Sequence, residues 1–286
     1  MTSKIIDIHP HIFSRDTVRY PVTPLGGERS DWSKERSVTI EELVAEMDGA
    51  KVDKAAIVHS STTYGFNNDV VADGIAAYPG RLTGVFSVNI TQADAPERMR
   101  YWLGKGMSGM RIYARGSKIK EAWLAIDDPA NAAAWEAAAE FGISVALNVH
   151  ARDEGLQQIK NVATRYPTVP VVIDHLGRPP IADGAPYAAA GDYFKLADLP
   201  NIYLKYTFSG LTSMLKEKAT AETFIPKLVS VFGANRIAWG SNYPSAPGTL
   251  AEVVASAKGA CAELSDEDRS WIFAKTAQKL YPVLQD

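Results

Sequence analysis

One cysteine, Cys261, is all that 286 residues hold, so no disulfide can form within the chain. Such scarcity is usual in reducing compartments. No run of about 18 apolar residues exists, which leaves nothing to span a bilayer. The opening MTSKIIDIHPHIF lacks the basic start, long apolar stretch and small-residue cleavage site of a secretory signal, and a cytoplasmic setting is expected. There is no basic block, and the net charge is −3. Neither nucleic acid nor an anionic membrane is therefore expected as a partner. No GxGxxG follows the first strand-like run, which removes the usual dinucleotide-binding form of an open sheet. Histidine is scarce as well, with five in the whole chain.

Apolar residues make up 46% of the chain, enough to bury a large core. They fall in short runs rich in Val and Ile: KIIDI (4–8), KAAIV (54–58), LTGVFSV (82–88), SGMRI (108–112), ISVALNV (143–149), PVVID (170–174), NIYLK (201–205) and RIAW (236–239). Runs of this kind suit parallel strands covered on both faces. Helical patterns lie between them. Thr39 and Glu42 form a capping box ahead of ELVAEM, and Asp128–Pro129 opens NAAAWEAAAEF. Eight strands alternating with helices predict a single-domain (β/α)8 TIM barrel over residues 1–286. An extra C-terminal helix is expected over 265–281, started by Ser265 and Asp268. The long stretch 13–38 follows the first strand, so in a barrel it becomes a loop on the catalytic face.

All five histidines fall directly after strand runs: His9 and His11 after the first, His59 after the second, His150 after the fifth and His175 after the sixth. In a parallel barrel these positions share the C-terminal rim, where barrel enzymes keep their active sites. One histidine at a strand end is ordinary packing; five of five form a pattern. Imidazole can bind a metal or move a proton near neutral pH. Asn242 follows the eighth run, Arg111 lies in the fourth and Arg115 after it, and Arg178 follows the sixth. Arginine at a rim suits a carboxylate, whose two oxygens match the planar fork. Tyr64, His59 and Tyr206 complete the candidate substrate-binding set, and a small carboxylated molecule is the expected partner. Cys261 reads as a structural residue of a helix, with no histidine near it in sequence.

The segments Asp7-x-His9-x-His11, Asp174-His175-x-Gly177-Arg178-Pro179 and Gly240-Ser241-Asn242-Tyr243-Pro244 occur in the order and register of the amidohydrolase superfamily. The chain resembles its amidohydrolase-related branch over nearly its whole length. RYPVTP (19–24), SSTTYGFNND (60–69) and KGMSGMRIY (105–113) are similar to the group containing 2-pyrone-4,6-dicarboxylate lactonase, sugar-acid lactonases, sulfomuconolactone hydrolase and galactarolactone isomerase. The resemblance implies a hydrolase opening or closing the lactone of a small organic acid. Two positions depart from the family pattern. Its strand-eight Asp is Asn242 here, and its C-terminal Gly-Asn-Ala is Lys275-Thr276-Ala277. A neutral amide takes no proton and ligates transition metals poorly. Whether Asn242 is natural or replaces an Asp stays open at this level.

Two mechanisms follow from the resemblance. In one, His9, His11 and His150 bind a single divalent ion such as zinc, with an open position for water. In the other, no cofactor is needed: His9, His11 and His175 polarise the lactone carbonyl, and the strand-eight residue handles water. The missing carboxylate favours the second. His9, His11, His150, His175 and Asn242 are the candidate catalytic residues. A decarboxylase or isomerase on the same barrel, and a binding protein that has lost its base, remain as alternatives. The oligomeric state is not readable.

Overall fold

In a computed structural model, residues 4–115, 119 and 123–285 are described. The eight apolar runs form eight parallel strands: β1 (Ile6–Asp7), β2 (Lys54–Val58), β3 (Leu82–Phe86), β4 (Met107–Tyr113), β5 (Ser144–Asn148), β6 (Val171–Ile173), β7 (Ile202–Tyr206) and β8 (Ile237–Trp239). Their order is sequential, β1 through β8. Ile8 N donates to Trp239 O at 3.3 Å, which joins β8 back to β1. The fold is a (β/α)8 barrel, and every strand residue but Lys54, Ser108, Tyr113 and Asn148 is buried. Helices cover the outside, as a two-face-buried parallel sheet requires.

The local start signals are used as written. Thr39 Oγ1 accepts from Glu42 N while Glu42 Oε2 accepts from Thr39 N, opening the helix Ile40–Ala50. Asp128 accepts from Ala130 N, and after the short turn Pro129–Asn131 the helix Ala132–Phe141 follows. Ser265 Oγ accepts from Asp268 N and starts the C-terminal segment. That segment runs as Asp266–Ser270, a wider turn at Trp271–Lys275 and Thr276–Leu280.

This segment closes the barrel at the strand starts. Ala274, Ala277, Leu280, Tyr281 and Leu284 share one apolar cluster with Ile6, Ala56, Val85, Ala146, Val172 and Ala238 from the barrel interior. Thr276 Oγ1 donates to Ala234 O just ahead of β8, and Lys54 Nζ at the head of β2 donates to Gln285 O. Tyr281 sits so close to β4 that a Cβ on Gly109 would lie 2.7 Å from its ring. Glycine is what lets the plug enter. With the bottom sealed, the strand ends are the open face.

Candidate active site

At the strand ends lies a cavity of about 490 Å³. His11 and the hydroxyls of Ser60, Ser61 and Thr62 reach it from the segments after β1 and β2. Arg111, Arg115, Asn148 and His150 come from β4, β5 and their continuations. His175, Arg178, Ser209 and Asn242 complete the ring. Among the described residues, three arginines line this cavity and no aspartate or glutamate does. A cleft with one sign of charge concentrates ligands of the other.

An ionic layer lies between the cavity and the apolar plug. Asp174, at the end of β6, accepts from Arg111 Nε at 2.7 Å and pairs with Lys205 Nζ at 2.9 Å. All three are buried. Burial alone would raise the Asp174 pKa, but the Lys205 and Arg111 cations outweigh it and hold the carboxyl well below its ordinary range. Asp7 Oδ1 accepts from His9 N and Ser241 N, tying β1 to the chain after β8. Burial raises its pKa to about 6. His9 stands over this layer, with its ring centroid 5.0 Å from that of His11 and 4.9 Å from that of His175.

Burial lowers His11 and His175 to about 3, and the Arg111 cation adds to the effect on both. Burial also drives His9 well below its usual value, with Lys205 and Arg111 contributing. At the rim His150 falls to about 4, first through burial and then through Arg178, Arg115 and Arg152. These imidazoles are neutral at pH 7, the form that accepts a proton or donates a single hydrogen bond.

The turn that places His175 and Arg178 is left-handed through four residues: His175, Leu176, Gly177 and Arg178 have φ of 53°, 60°, 70° and 54°. Ala151 N donates to Gly177 O at 2.7 Å and holds this turn against the chain after β5. Asn242 also has positive φ, 56°, which an Asn tolerates well. Its Nδ2 donates to Ser209 Oγ at 3.1 Å.

The structure brings His11, His150, His175, Asn242, Arg111, Arg115 and Arg178 to one cavity and separates the rest. His9 is fully buried beneath His11 and His175 and does not line the cavity. His59 is fully buried, with Nε2 bonded to Gly65 O at 2.8 Å, so it braces a loop and does not line the cavity. Tyr64 is also buried; its hydroxyl accepts from Ser14 N and fastens the start of the 13–38 loop. Tyr206 points to the helix side of the wall, where its hydroxyl donates to Ala257 O; its neighbour Lys205 takes the inward place. The metal set His9, His11 and His150 is not the one assembled. Among the described residues, the groups within ligating range of one another, all within 4.8 Å, are His9, Asp174 and His175, because His150 lies at the rim beside Arg152.

Two contributions were absent from the sequence reading. Trp32, from the helix Asp31–Glu35 in the 13–38 loop, forms one wall with its ring 5.4 Å from His11. Arg36 pins that loop by donating to Pro244 O and Ser245 O. Lys205 ends the seventh run beside Tyr206 and was grouped with the rim residues, without its buried pairing to Asp174. A lysine in an otherwise apolar run was the available signal.

A family model described as Amidohydrolase matches residues 6–283. The chain belongs to the amidohydrolase family. It is similar over 85 residues, at 36% identity, to L-fucono-1,5-lactonase of Burkholderia ambifaria. That match spans 29% of each chain, under a third of the relative's length. Among solved structures, a probable 2-pyrone-4,6-dicarboxylic acid hydrolase of Acinetobacter baumannii with citric acid bound superposes at a TM-score of 0.77. Its identity is 20%, covering 98% of this chain and 99% of the other. An amidohydrolase of Burkholderia multivorans with bound zinc gives 0.72 at 20% identity, with the same coverage. At such identity these likenesses speak for the barrel. Among the described residues no helix is long and apolar enough to cross a membrane.

Proposed function

We propose that this amidohydrolase opens the lactone of a small carboxylated organic acid. The observation that carries the reading is the lining itself, Arg111, Arg115 and Arg178 with no acidic side chain among the described residues. Such a cavity attracts a carboxylate and would hold it by charge-assisted hydrogen bonds. Among the lining hydroxyls, Ser60, Ser61, Thr62 and Ser213 donate to protein oxygens, which leaves Ser209 and Ser245 to donate to ring and hydroxyl oxygens of a ligand. The segment shared with a fuconolactonase, and citric acid in a structural neighbour, support a lactone and an acid respectively.

Arg115 and Arg178 form the cationic side that would take the carboxylate, with the neutral His150 beside them. His11 and His175 face the lactone carbonyl from the floor, where neutral imidazoles can polarise it or accept a proton from water. Asn242 can orient water through its amide but cannot deprotonate it. His9, Asp174 and His175 could together hold a metal ion, and neither ring nitrogen of His9 has a hydrogen-bond partner among the described residues. The carboxylate does not fit that role. Arg111 and Lys205 already occupy Asp174, and a divalent ion bound there would sit against two fixed cations. Polarisation of the carbonyl and activation of water therefore fall to the side chains.

The test is a panel of carboxylated and neutral lactones, assayed with and without chelator. Carboxylated lactones are expected to be hydrolysed with chelator present. Arg178→Ala and Arg115→Ala should raise KM for them about 10- to 100-fold, the worth of a lost charged hydrogen bond. Equal turnover of neutral lactones, with KM unmoved in both variants, would overturn the reading.

A further inference from the structure

His11 and His175 both border the cavity, and each has its Nδ1 tied to the wall by a different kind of partner. His11 Nδ1 lies 2.7 Å from Val58 O. A carbonyl oxygen only accepts, so this Nδ1 carries the proton and Nε2 is left with a bare lone pair. His175 Nδ1 lies 2.8 Å from Thr207 Oγ1. That hydroxyl is fully buried and already accepts from Gly210 N at 3.2 Å. Its proton needs an acceptor, and among the described residues His175 Nδ1 is the one within reach. A buried O–H left without an acceptor loses its hydration for nothing, which decides the direction. Thr207 donates, Nδ1 accepts, and the proton of the neutral ring sits on Nε2.

We propose that the two cavity histidines are fixed in opposite tautomers, His11 presenting a bare Nε2 and His175 presenting Nε2–H, and that Thr207 is the positioning residue that sets the second. On the lactonase reading, on which these roles rest, the pair divides the reaction between an acceptor and a donor. Water oxygen attacks the lactone carbonyl carbon as His11 Nε2 takes one water proton. The carbonyl π pair moves to oxygen, where His175 Nε2–H donates to the forming oxyanion. The oxyanion collapses, the bond from the acyl carbon to the ring oxygen breaks with its electron pair going to that oxygen, and the proton held on His11 passes to it. The product is the open hydroxy acid, and both rings return to their starting tautomers. The scheme accounts for an amide at Asn242, since the base is supplied from the chain after β1, which lies beside β8 through the bond from His11 N to Tyr243 O.

The tautomers are read directly from 15N-labelled histidine side chains by NMR of the full chain at pH 7. The expected result is protonated Nδ1 on His11 and protonated Nε2 on His175. Thr207→Val, which removes the hydroxyl and keeps the shape, should shift His175 toward Nδ1–H. It should lower kcat about 10- to 100-fold with KM little changed, the usual scale for a residue that orients another. Thr207→Ser should restore both. Protonated Nδ1 on His175 in the unsubstituted protein overturns the proposal even if the valine variant fails to fold. So does a valine variant with an unchanged tautomer. If the tautomers are found as assigned while no lactone is hydrolysed, the assignment of Thr207 stands and the lactonase reading alone fails.

Discussion

Asn242 concentrates the chemical question at the scale of a single residue. Its amide hydrogen-bonds Ser209 inside a ring of cations, and an Asp of the same size would add a charge without changing packing. With His11 as base, Asn242→Asp should alter kcat by less than about tenfold, while its anion, repelling the substrate carboxylate by ~1 kcal/mol, raises KM about fivefold. A rise of about 10²–10⁴ in kcat would instead place the base at this position. The pH profile belongs to the same scale. Neutral imidazole is the working form, and His11 and His175 are lowered to about 3 by burial and by Arg111. A lowered pKa keeps the ring neutral as pH falls, so activity should stay level from pH 8 to about 5 and decline only below. An acid limb centred near the ordinary histidine value of about 6.5 would show that these rings are solvated in the working enzyme.

Among the elements, the left-handed turn after β6 does the most to place the site. Three of its four residues are not glycine, and each such residue costs about 1–2 kcal/mol in this region. The ion pairs of Asp174, burial of Leu176 and the bond from Ala151 N to Gly177 O offset that cost. At Gly177 there is no room for compensation, since a Cβ would lie 2.5 Å from that of Ala151 and 2.8 Å from Ile173 Cγ2. Gly177→Ala should therefore destabilise the fold by about 2–4 kcal/mol, combining positive φ with overpacking. Chemical denaturation measures this, and a loss under about 1 kcal/mol would mean the turn relaxes freely. Activity should fall as well, because His175 and Arg178 ride on the same four residues.

For the whole molecule, the two ends of the barrel divide stability from chemistry. The C-terminal segment seals the strand starts through Ala277, Leu280, Tyr281 and Leu284, while everything that lines the cavity lies at the strand ends. Tyr281→Ala should cost about 3–5 kcal/mol, as for other large buried aromatics. KM of the folded fraction should be unchanged, because the ionic layer of Asp174, Arg111 and Lys205 stands between the plug and the cavity. Denaturation and kinetics on the same preparation check both halves. A large KM change at modest destabilisation would show that the layer transmits strain.

The sequence by itself determined the barrel, because eight short two-face-buried runs alternating with capped helices admit few other arrangements. It also determined that the histidines gather at one end, since parallel strands all finish on the same side. It could not decide which side of a strand faces inward. In β7 all of Ile202–Tyr206 is buried, so hydropathy is blind to parity, and Tyr206 was chosen where Lys205 is the inward residue. Nor could it tell a histidine that lines a cavity from one that braces a loop. His59 and His11 both follow a strand, but the ring of His59 is spent on Gly65 O, and that bond exists only once the chain has turned back. The direction of each remaining proton was left to tertiary structure for the same reason. Whether an imidazole accepts or donates depends on what its other nitrogen meets, and Val58 O at the end of β2 and Thr207 Oγ1 just after β7 are distant in sequence from His11 and His175, which only the closed barrel brings to them.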